Sequence, residues 1–321
     1  MRVLVSGAGG FIGHHLVKHL VAVGCWVRGA DLKSPEYEPS PAHEFMLLDL
    51  RSPDSCLAAV QGVEHVYHLA ADMGGIGYIT AGHADIARNN ALINAHMLEA
   101  SRITGVKRFL FTSSACVYPI RLQSSPVNIP LVEAAAWPAE PEEGYGLEKL
   151  FAEKLCQYYR EDHRLSTRIA RLHNVYGPLG TYEGGKEKAP AAICRKVALA
   201  GDGGDVEVWG DGEQTRSFMY VADCVEGIVR IMQSDFTGPL NLGTEESLSI
   251  NEMTDIVAAI AGYRISKKHD VSKPQGVRGR NSENSLLRRI LGWEPHTPIR
   301  EGLVHTFRWI RDELRRAGRI S

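Results

Sequence analysis

Three glycines spaced three residues apart, Gly7, Gly10 and Gly13, lie between two segments of different periodicity. Arg2–Ser6 before them is a short β-branched run, and the segment 11–23 after them repeats its apolar residues with helical spacing. A tight turn from strand to helix requires glycine at such places, and it aims the helix N-terminus at a pyrophosphate. The pattern predicts a dinucleotide site, although glycines also form such turns for structural reasons alone.

An acidic residue follows at the end of the second predicted strand, which covers 25–30. Asp31 lies eighteen residues beyond Gly13. A carboxylate at this point accepts hydrogen bonds from both hydroxyls of an adenosine ribose and repels a 2′-phosphate. The predicted cofactor is therefore NAD rather than NADP, and Lys33 lies close enough to make that preference less sharp.

Strands and helices alternate along most of the chain. Further strands are predicted over 44–47, 65–69, 108–112, 166–171 and 239–242, with helices near 54–61, 82–104, 145–162 and 190–200. This alternation is typical of an α/β fold with a Rossmann-type, doubly wound parallel sheet. We expect an NAD-binding domain over 1–177 with returning segments near 215–245, and a smaller, mainly substrate-binding domain over 178–321. The glycine-rich stretches 180–185 and 201–212 are predicted loops, and helices are expected to dominate from about residue 251.

Composition excludes several classes of protein. The 321 residues carry 36 Lys and Arg against 38 Asp and Glu, a net charge of −2, so nothing favours nucleic acid or an anionic membrane as partner. No apolar run approaches the ~18–20 residues that span a bilayer, and the N-terminus lacks a signal-peptide pattern. Six cysteines without a CxxC pair predict free thiols, no metal site and a reducing, cytoplasmic location.

A tyrosine and a lysine with YxxxK spacing stand in the predicted helix near 145–162. On a helix, residues four apart share a face, so Tyr145 and Lys149 can converge on one bound sugar. Ser114, just after the fifth strand, completes a Ser/Tyr/Lys set that could oxidise a hydroxyl. We expect the lysine and a cationic nicotinamide to lower the phenol pKa toward neutrality. An amphipathic helix with an exposed tyrosine and lysine is the alternative.

A thiol two residues beyond Ser114 suggests further chemistry. Cys116 is predicted to point into the same cleft, where a nearby cation would lower its pKa and make it a base at carbon. Cysteine beside a buried strand more often serves packing alone. Lys186, Glu187 and Lys188 stand at the start of the next predicted helix, where the helix dipole does not favour cations. This placement favours a catalytic role for Cys116 over packing alone. Amide and guanidinium donors suited to a diphosphate follow at Gln214, Arg216 and Arg280, although each arginine could equally form a surface ion pair.

These motifs resemble the extended short-chain dehydrogenases/reductases and, within them, the GDP-mannose 3,5-epimerase family. The resemblance runs from the first strand to the last helix and is carried by ADMGGIG (71–77), SSACVYP (113–119), AWPAEPEEGYGLEK (136–149), EKAPAAICRK (187–196), WGDGEQTRSF (209–218) and GVRGRNS (276–282). It implies cofactor-binding positions at Gly7, Gly10, Phe11, Ile12, Gly13, Asp31, Asp49, Leu50, Leu69, Ala70, Ala71, Tyr145 and Lys149. It implies substrate-binding positions at Gly74, Ser114, Cys116, Asn174, Glu187, Lys188, Lys196, Gln214, Arg216 and Arg280.

The resemblance also implies a reaction. Tyr145 and Lys149 would run a redox step at C4 of the sugar, and Cys116 and Lys188 would form the acid/base pair at carbon. GDP-D-mannose would become GDP-L-galactose, with GDP-L-gulose as the product of inversion at C5 alone. A homodimer is expected by resemblance, through the helices near 82–104 and 145–162.

Three alternatives stay open at this point. A GDP-4-keto-6-deoxymannose 3,5-epimerase/4-reductase also places a cysteine after the fifth strand, but it consumes NADPH and pairs the cysteine with histidine. A nucleotide-sugar 4-epimerase or 4,6-dehydratase would use Cys116 for packing only. A non-catalytic NAD sensor would need no intact Ser/Tyr/Lys set.

Overall fold

A computed structural model describes residues 1–74, 78, 82–125, 129–273 and 275–321. Its strands are β1 (Arg2–Ser6), β2 (Trp26–Asp31), β3 (Glu44–Leu47), β4 (His65–His68), β5 (Arg108–Ser114), β6 (Thr167–Leu172), β7 (Asn174–Tyr176), β8 (Asp205–Trp209), β9 (Thr215–Tyr220), β10 (Pro239–Leu242), β11 (Ser247–Ser249), β12 (Ser266–Asp270) and β13 (Gly279–Arg280). Its α-helices are α1 (Phe11–Ala22), α2 (Pro53–Val60), α3 (His83–Ile103), α4 (Tyr145–His163), α5 (Ala189–Ala200), α6 (Val221–Gln233), α7 (Ile250–Ala261), α8 (Ser285–Leu291) and α9 (Ile299–Arg316).

The central sheet has seven parallel strands in the order β10-β6-β5-β4-β1-β2-β3. Its inner strands are buried along most of their length because helices cover both faces of the sheet. One core packs α1 and α6 against one face, and another packs α2, α3 and α4 against the other. The predicted α/β fold with a doubly wound parallel sheet is confirmed. The carboxyl ends of the strands meet at one edge, where ligands bind in such folds.

The later part of the chain builds smaller sheets. β9 pairs with β7, β11 and β13, and β8 pairs with β12. A third core packs α5, α7 and α9 against these strands. The prediction of a loop over 201–212 is wrong at Asp205–Trp209, where alternate residues are buried and a strand forms. The tail also contains β12, which its polar sequence, Ser266–Asp270, concealed.

Within the described residues, no helix is long and apolar enough to cross a membrane, and no group of three or more His, Cys, Asp or Glu side chains could hold a metal ion. All six cysteines are buried and free.

A buried ion pair fixes the α4 helix to the sheet. Arg171 on β6 donates to both carboxylate oxygens of Glu153 at 2.8 and 2.7 Å, and the two side chains are 1% and 5% exposed. The Ser113 hydroxyl donates to the same carboxylate at 2.5 Å. The pair therefore sets the position of α4 relative to the end of β5.

Glu153→Gln is expected to destabilise the fold by about 3–5 kcal/mol, because Arg171 would keep a buried charge without its counter-ion. Urea unfolding measures the change. Glu161→Gln on the same helix is the control, since the Glu161 side chain is 49% exposed and the loss there should stay below ~1 kcal/mol. Equal losses of unfolding free energy in the two variants would contradict the assignment of Glu153 as the buried counter-ion of Arg171.

Candidate active site

The glycine turn brings backbone against backbone between β1 and α1. Gly7 has a φ of +76°, and a Cβ added to it would lie 2.8 Å from the Ala70 nitrogen. A Cβ on Gly13 would lie 2.0 Å from the Gly7 oxygen. Gly10 precedes α1 and has no side chain with which to cap the helix. The first amides of α1, including those of Phe11 and Ile12, are thus left for an anion such as a pyrophosphate.

The Asp31 carboxylate is held in place at the end of β2. It accepts hydrogen bonds from the backbone N–H groups of Gly9 at 2.9 Å and of Lys33 at 3.2 Å. The Lys33 ammonium lies 3.8 Å from the Glu36 carboxylate, so its charge is directed to that neighbour. An oriented carboxylate at this position fits the ribose diol of NAD.

The other predicted cofactor positions follow the neighbouring strands. The Ser6 hydroxyl accepts hydrogen bonds from the N–H groups of Leu69 and Ala70 at 3.2 and 3.3 Å, so the ends of β1 and β4 are joined. Ala71 follows them in the chain. Asp49 follows β3 and pairs with Arg51 at 2.7 Å, and Leu50 beside it is buried. The Arg51 hydrogen bond holds the pKa of Asp49 below its usual range.

The Ser/Tyr/Lys residues meet at the N-terminus of α4. Tyr145 is its first residue, and Lys149 donates to the Thr112 carbonyl at 3.1 Å with its Nζ 5.6 Å from the Tyr145 ring centroid. Ser114 is the last residue of β5, and its hydroxyl lies close enough to the Tyr145 phenol to lower the pKa of that phenol. Tyr145 and Lys149 are 7% and 2% exposed, so water has little access to the phenol.

Burial dominates the ionisation of these groups. Desolvation raises the pKa of Tyr145 well above its usual range, against the lowering effect of the Ser114 hydrogen bond. Desolvation also lowers the pKa of Lys149, while the adjacent Glu148 carboxylate raises it. The expectation of a lowered phenol pKa is therefore wrong for the protein alone, because desolvation outweighs the lowering effect of Ser114.

Cys116 lies in the short 3₁₀ turn Ala115–Val117 that follows β5. Its N–H donates to the Ser114 hydroxyl at 3.2 Å, and its Sγ lies 3.5 Å from Nη1 of Arg280. Lys188, directly before α5, interacts electrostatically with both side chains. The structure thus brings Ser114, Cys116 and Tyr145 together, with Lys188 close enough to act electrostatically on the thiol.

The thiol is 8% exposed, and desolvation raises its pKa, although Arg280, Ser114 and Lys188 each lower it. The expectation of a lowered thiol pKa is wrong for the same reason as for the phenol. Burial also lowers the pKa of Lys188, whereas Cys116 raises it.

Arg216 and Gln214 are two further predicted diphosphate donors, and Arg216 interacts electrostatically with Cys116 and Arg280. Arg216 on β9 is aligned with Arg280 on β13, and burial lowers its pKa to about 9, with the Arg280 charge acting in the same direction. Gln214 donates to the Trp209 carbonyl at 3.0 Å, while its buried Oε1 has no hydrogen-bond partner in the described part of the chain. A buried acceptor of this kind is suited to a ligand's donor.

Other predicted substrate residues lie apart from the thiol cluster or already have partners. Asn174 donates to the Ser217 carbonyl at 3.1 Å, Glu187 pairs with Arg195 at 3.1 Å, and Lys196 pairs with Glu207 at 2.9 Å. Gly74 is buried, and a Cβ added to it would lie 2.8 Å from Tyr78. The remainder of that motif, residues 75–77, lies outside the described residues.

The fold and this site agree with a known family. The profile of the NAD dependent epimerase/dehydratase family matches residues 3–243. The chain belongs to this family. NAD is accordingly its cofactor, and the prediction of an NAD-dependent epimerase is confirmed.

Individual proteins and structures similar to this chain come from within the epimerase/dehydratase family and its neighbours. GDP-mannose 3,5-epimerase 1 of Oryza sativa subsp. japonica is 47% identical over 316 residues, which are 98% of this chain and 82% of that protein. A probable GDP-L-fucose synthase 1 of the same plant is 28% identical over 96% of this chain and 91% of its own. The structure of Thermus thermophilus UDP-glucose 4-epimerase complexed with NAD has a TM-score of 0.84 at 27% identity and covers 97% of this chain and 99% of its own.

This epimerase/dehydratase also contains two site residues to which the sequence assigned no role. Glu142 accepts a hydrogen bond from Nη2 of Arg280, and Gln123 accepts one from Nε of the same guanidinium. A carboxylate three residues before Tyr145 was the available signal for Glu142. Nothing local marked Gln123.

Gly13→Ala is expected to lower NAD affinity more than tenfold and to destabilise the protein by about 1–3 kcal/mol, because the added Cβ meets backbone that cannot move aside. NAD titration by tryptophan fluorescence and thermal unfolding measure the two effects. Gly82→Ala is the control, since Gly82 has a φ of −151° and no atom of the described residues lies within 4 Å of its Cβ position. Wild-type NAD affinity in Gly13→Ala would contradict the assigned loop.

Proposed function

We propose that this epimerase/dehydratase inverts both C3 and C5 of GDP-D-mannose, giving GDP-L-galactose, with GDP-L-gulose as the product of inversion at C5 alone. The observation that carries the proposal is that Cys116 packs beside Tyr145 of the Ser114/Tyr145/Lys149 set and interacts electrostatically with Lys188. An enzyme that only oxidised and reduced C4 would not need a thiol and a second lysine there. The 47% identity to a GDP-mannose 3,5-epimerase supports the substrate assignment.

The oxidation step explains why one enzyme can reach two stereocentres. A hydrogen on C3 or C5 becomes acidic once C4 is a ketone, because the enolate places the charge on oxygen. Bound NAD supplies a reversible hydride acceptor at C4. Tyr145 takes and returns the O4 proton, and Ser114 and Tyr145 together donate to the O4 oxyanion in a site that excludes water. Lys149 holds the nicotinamide ribose and favours the phenolate.

Inversion needs an acid and a base on opposite faces of the ring. Cys116 and Lys188 come from different elements, the turn after β5 and the start of α5, and this separation lets them approach a sugar from two sides. Each positioned acid or base is worth about 10²–10⁴-fold in rate. Burial raises the pKa of Cys116 and lowers that of Lys188, so it favours the neutral form of each group, a thiol that can donate a proton and an amine that can accept one.

Substrate contacts are assigned in the same proposal. Arg280 and Arg216 would bind the diphosphate, and the unpartnered Oε1 of Gln214 would accept a hydrogen bond from the nucleotide. Asn174, Glu187, Lys196 and Gly74 are assigned to the sugar nucleotide by resemblance. The cofactor-binding positions given in the sequence analysis are proposed NAD contacts in the same way.

The organisation of the chain belongs to the proposal too. β10 returns to the central sheet beside β6, which supports an NAD-binding domain over 1–177 with segments from 215–245 and a substrate domain mainly over 178–321.

Leu147, Phe151 and Tyr158 are 57%, 55% and 49% exposed along one face of α4, which supports pairing of two copies through α3 and α4. Six free cysteines support a reducing, cytoplasmic location.

Two incubations separate this activity from the 3,5-epimerase/4-reductase alternative. GDP-mannose with NAD is expected to give GDP-L-galactose without accumulation of NADH. GDP-4-keto-6-deoxymannose with NADPH is expected to leave the NADPH unconsumed, because Asp31 opposes a 2′-phosphate. Consumption of NADPH in the second incubation, without epimerisation in the first, would overturn the proposal.

A further inference from the structure

Glu142 is fixed between the thiol turn and the catalytic helix. Its N–H donates to the Cys116 carbonyl at 3.1 Å, and its own carbonyl accepts from the Leu147 N–H at 3.0 Å. Gly146 packs against the same turn, where a Cβ would lie 2.3 Å from the Cys116 oxygen. The backbone therefore leaves Glu142 little freedom to move away from the thiol.

The Glu142 side chain holds the Arg280 guanidinium against the Cys116 thiol. Arg280 donates hydrogen bonds from Nη2 to the Glu142 carboxylate and from Nε to the Gln123 side-chain oxygen. Its Nη1 therefore faces the Cys116 sulfur, at 3.5 Å. Gln123 is itself anchored, since its Nε2 donates to the carbonyls of Tyr118 at 3.1 Å and Pro119 at 3.3 Å. The Arg280 and Glu142 side chains are 9% and 16% exposed, so these contacts are only weakly screened by solvent.

Charge balance links Glu142 to the proton on the thiol. Arg280 and Lys188 are the cations that favour a Cys116 thiolate, and the Glu142 carboxylate is the anion that opposes it. The remaining ionisable and hydroxyl groups that interact with this thiol come from β5, α4 and β9, namely Ser114, Tyr145, Lys149 and Arg216. Removing the carboxylate charge would leave the neighbouring cations, Arg280 and Lys188 foremost, acting on the thiol without the Glu142 carboxylate to oppose them.

We propose that Glu142 is a positioning residue that holds Arg280 against Cys116 and keeps this thiol protonated in the ligand-free cleft. Its part in catalysis rests on the proposed function, because a thiol that must act as an acid needs its proton at neutral pH. Its effect on the thiol does not depend on which sugar nucleotide binds.

The test is the pH dependence of Cys116 alkylation by iodoacetamide in the ligand-free protein, followed by mass spectrometry of the peptide that contains Cys116. Glu142→Gln keeps an acceptor for Arg280 but removes the charge, and its midpoint is expected to fall by about one pH unit, a tenfold change in thiolate at a given pH. Glu142→Asp keeps the charge and is expected to stay near the wild-type midpoint. Glu143→Gln, at the exposed neighbouring residue, is the matched control and should leave the midpoint unchanged.

Arg280→Met provides a second variant that does not alter Glu142. It removes a cation beside the sulfur, so the midpoint is expected to rise. A wild-type midpoint in Glu142→Gln, or equal shifts in Glu142→Gln and Glu142→Asp, would overturn the proposal, and a fall in Arg280→Met would do the same. A chain that fails to epimerise GDP-mannose yet shows these shifts would refute the proposed function and leave the role of Glu142 standing.

Discussion

Cys116→Ala is expected to lower the rate of hydrogen exchange at C3 and C5 of GDP-mannose by about 10³-fold or more, while oxidation at C4 continues. The thiol is one member of the acid/base pair, and the neighbouring hydroxyl of Ser114 cannot replace it as a base at carbon. The phenol and the lysine of the redox set stay in place, because only a small side chain in the 3₁₀ turn changes. Proton NMR of the sugar in deuterated buffer measures exchange, and NADH absorbance under single-turnover conditions measures oxidation.

Cys25→Ala is the control for this experiment. It makes the same chemical change at a buried thiol before β2, and exchange is expected to stay within about twofold of wild type. Normal inversion at both carbons in Cys116→Ala would mean that Cys116 serves packing, and the assignment of the acid/base pair would then be wrong.

Tyr145→Phe is expected to lose oxidation at C4 and exchange at C3 and C5 together, each by about 10²–10⁴-fold. Its hydroxyl is the group placed to take the O4 proton, and no hydrogen on C3 or C5 becomes acidic until C4 is a ketone. The loss should appear in kcat rather than in the affinity for NAD, which titration of the variant checks. Loss of both steps together distinguishes this variant from Cys116→Ala.

Tyr158→Phe, on the same helix with a side chain 49% exposed, is the matched control and is expected to keep wild-type rates. Continued exchange in Tyr145→Phe without oxidation at C4 would show that the carbon hydrogens are removed by another route.

The sheet was predictable because its signals are local in sequence. The glycines at 7, 10 and 13 and the apolar run of β1 specify a strand, a turn and a helix within about twenty residues, and the later strands repeat the same alternation. β8 was missed because glycines on both sides of Asp205–Trp209 resemble a loop, although its alternating residues indicated a strand.

The contacts around the thiol depend on folding and could not be read in the same way. Arg280 and Glu142 lie 138 positions apart, and they meet because the two-residue strand β13 pairs with β9 beside the start of α4. The resemblance named Arg280 as a substrate residue, but no spacing in the sequence indicated its ion pair with Glu142.

Burial explains the two pKa expectations that failed. The YxxxK spacing predicts Lys149 near Tyr145 and the resemblance implies Lys188 near Cys116, but neither shows that Tyr145 and Cys116 are less than a tenth exposed. Desolvation opposes the charged forms of both groups. In the protein alone it outweighs Arg280 and Lys188 at the thiol and Ser114 at the phenol. Ligand binding changes these surroundings, so the ionisation that matters for the reaction belongs to the complex.

The central claim is that one temporary ketone at C4 makes the hydrogens of both neighbouring carbons exchangeable. Incubation of the wild-type protein with GDP-mannose and NAD in deuterated water, followed by NMR of each ring position, tests it directly. The account predicts deuterium at C3 and at C5, none at C4, and no lasting NADH. Formation of epimerised product without deuterium at C3 and C5, or with deuterium at C4, would contradict it.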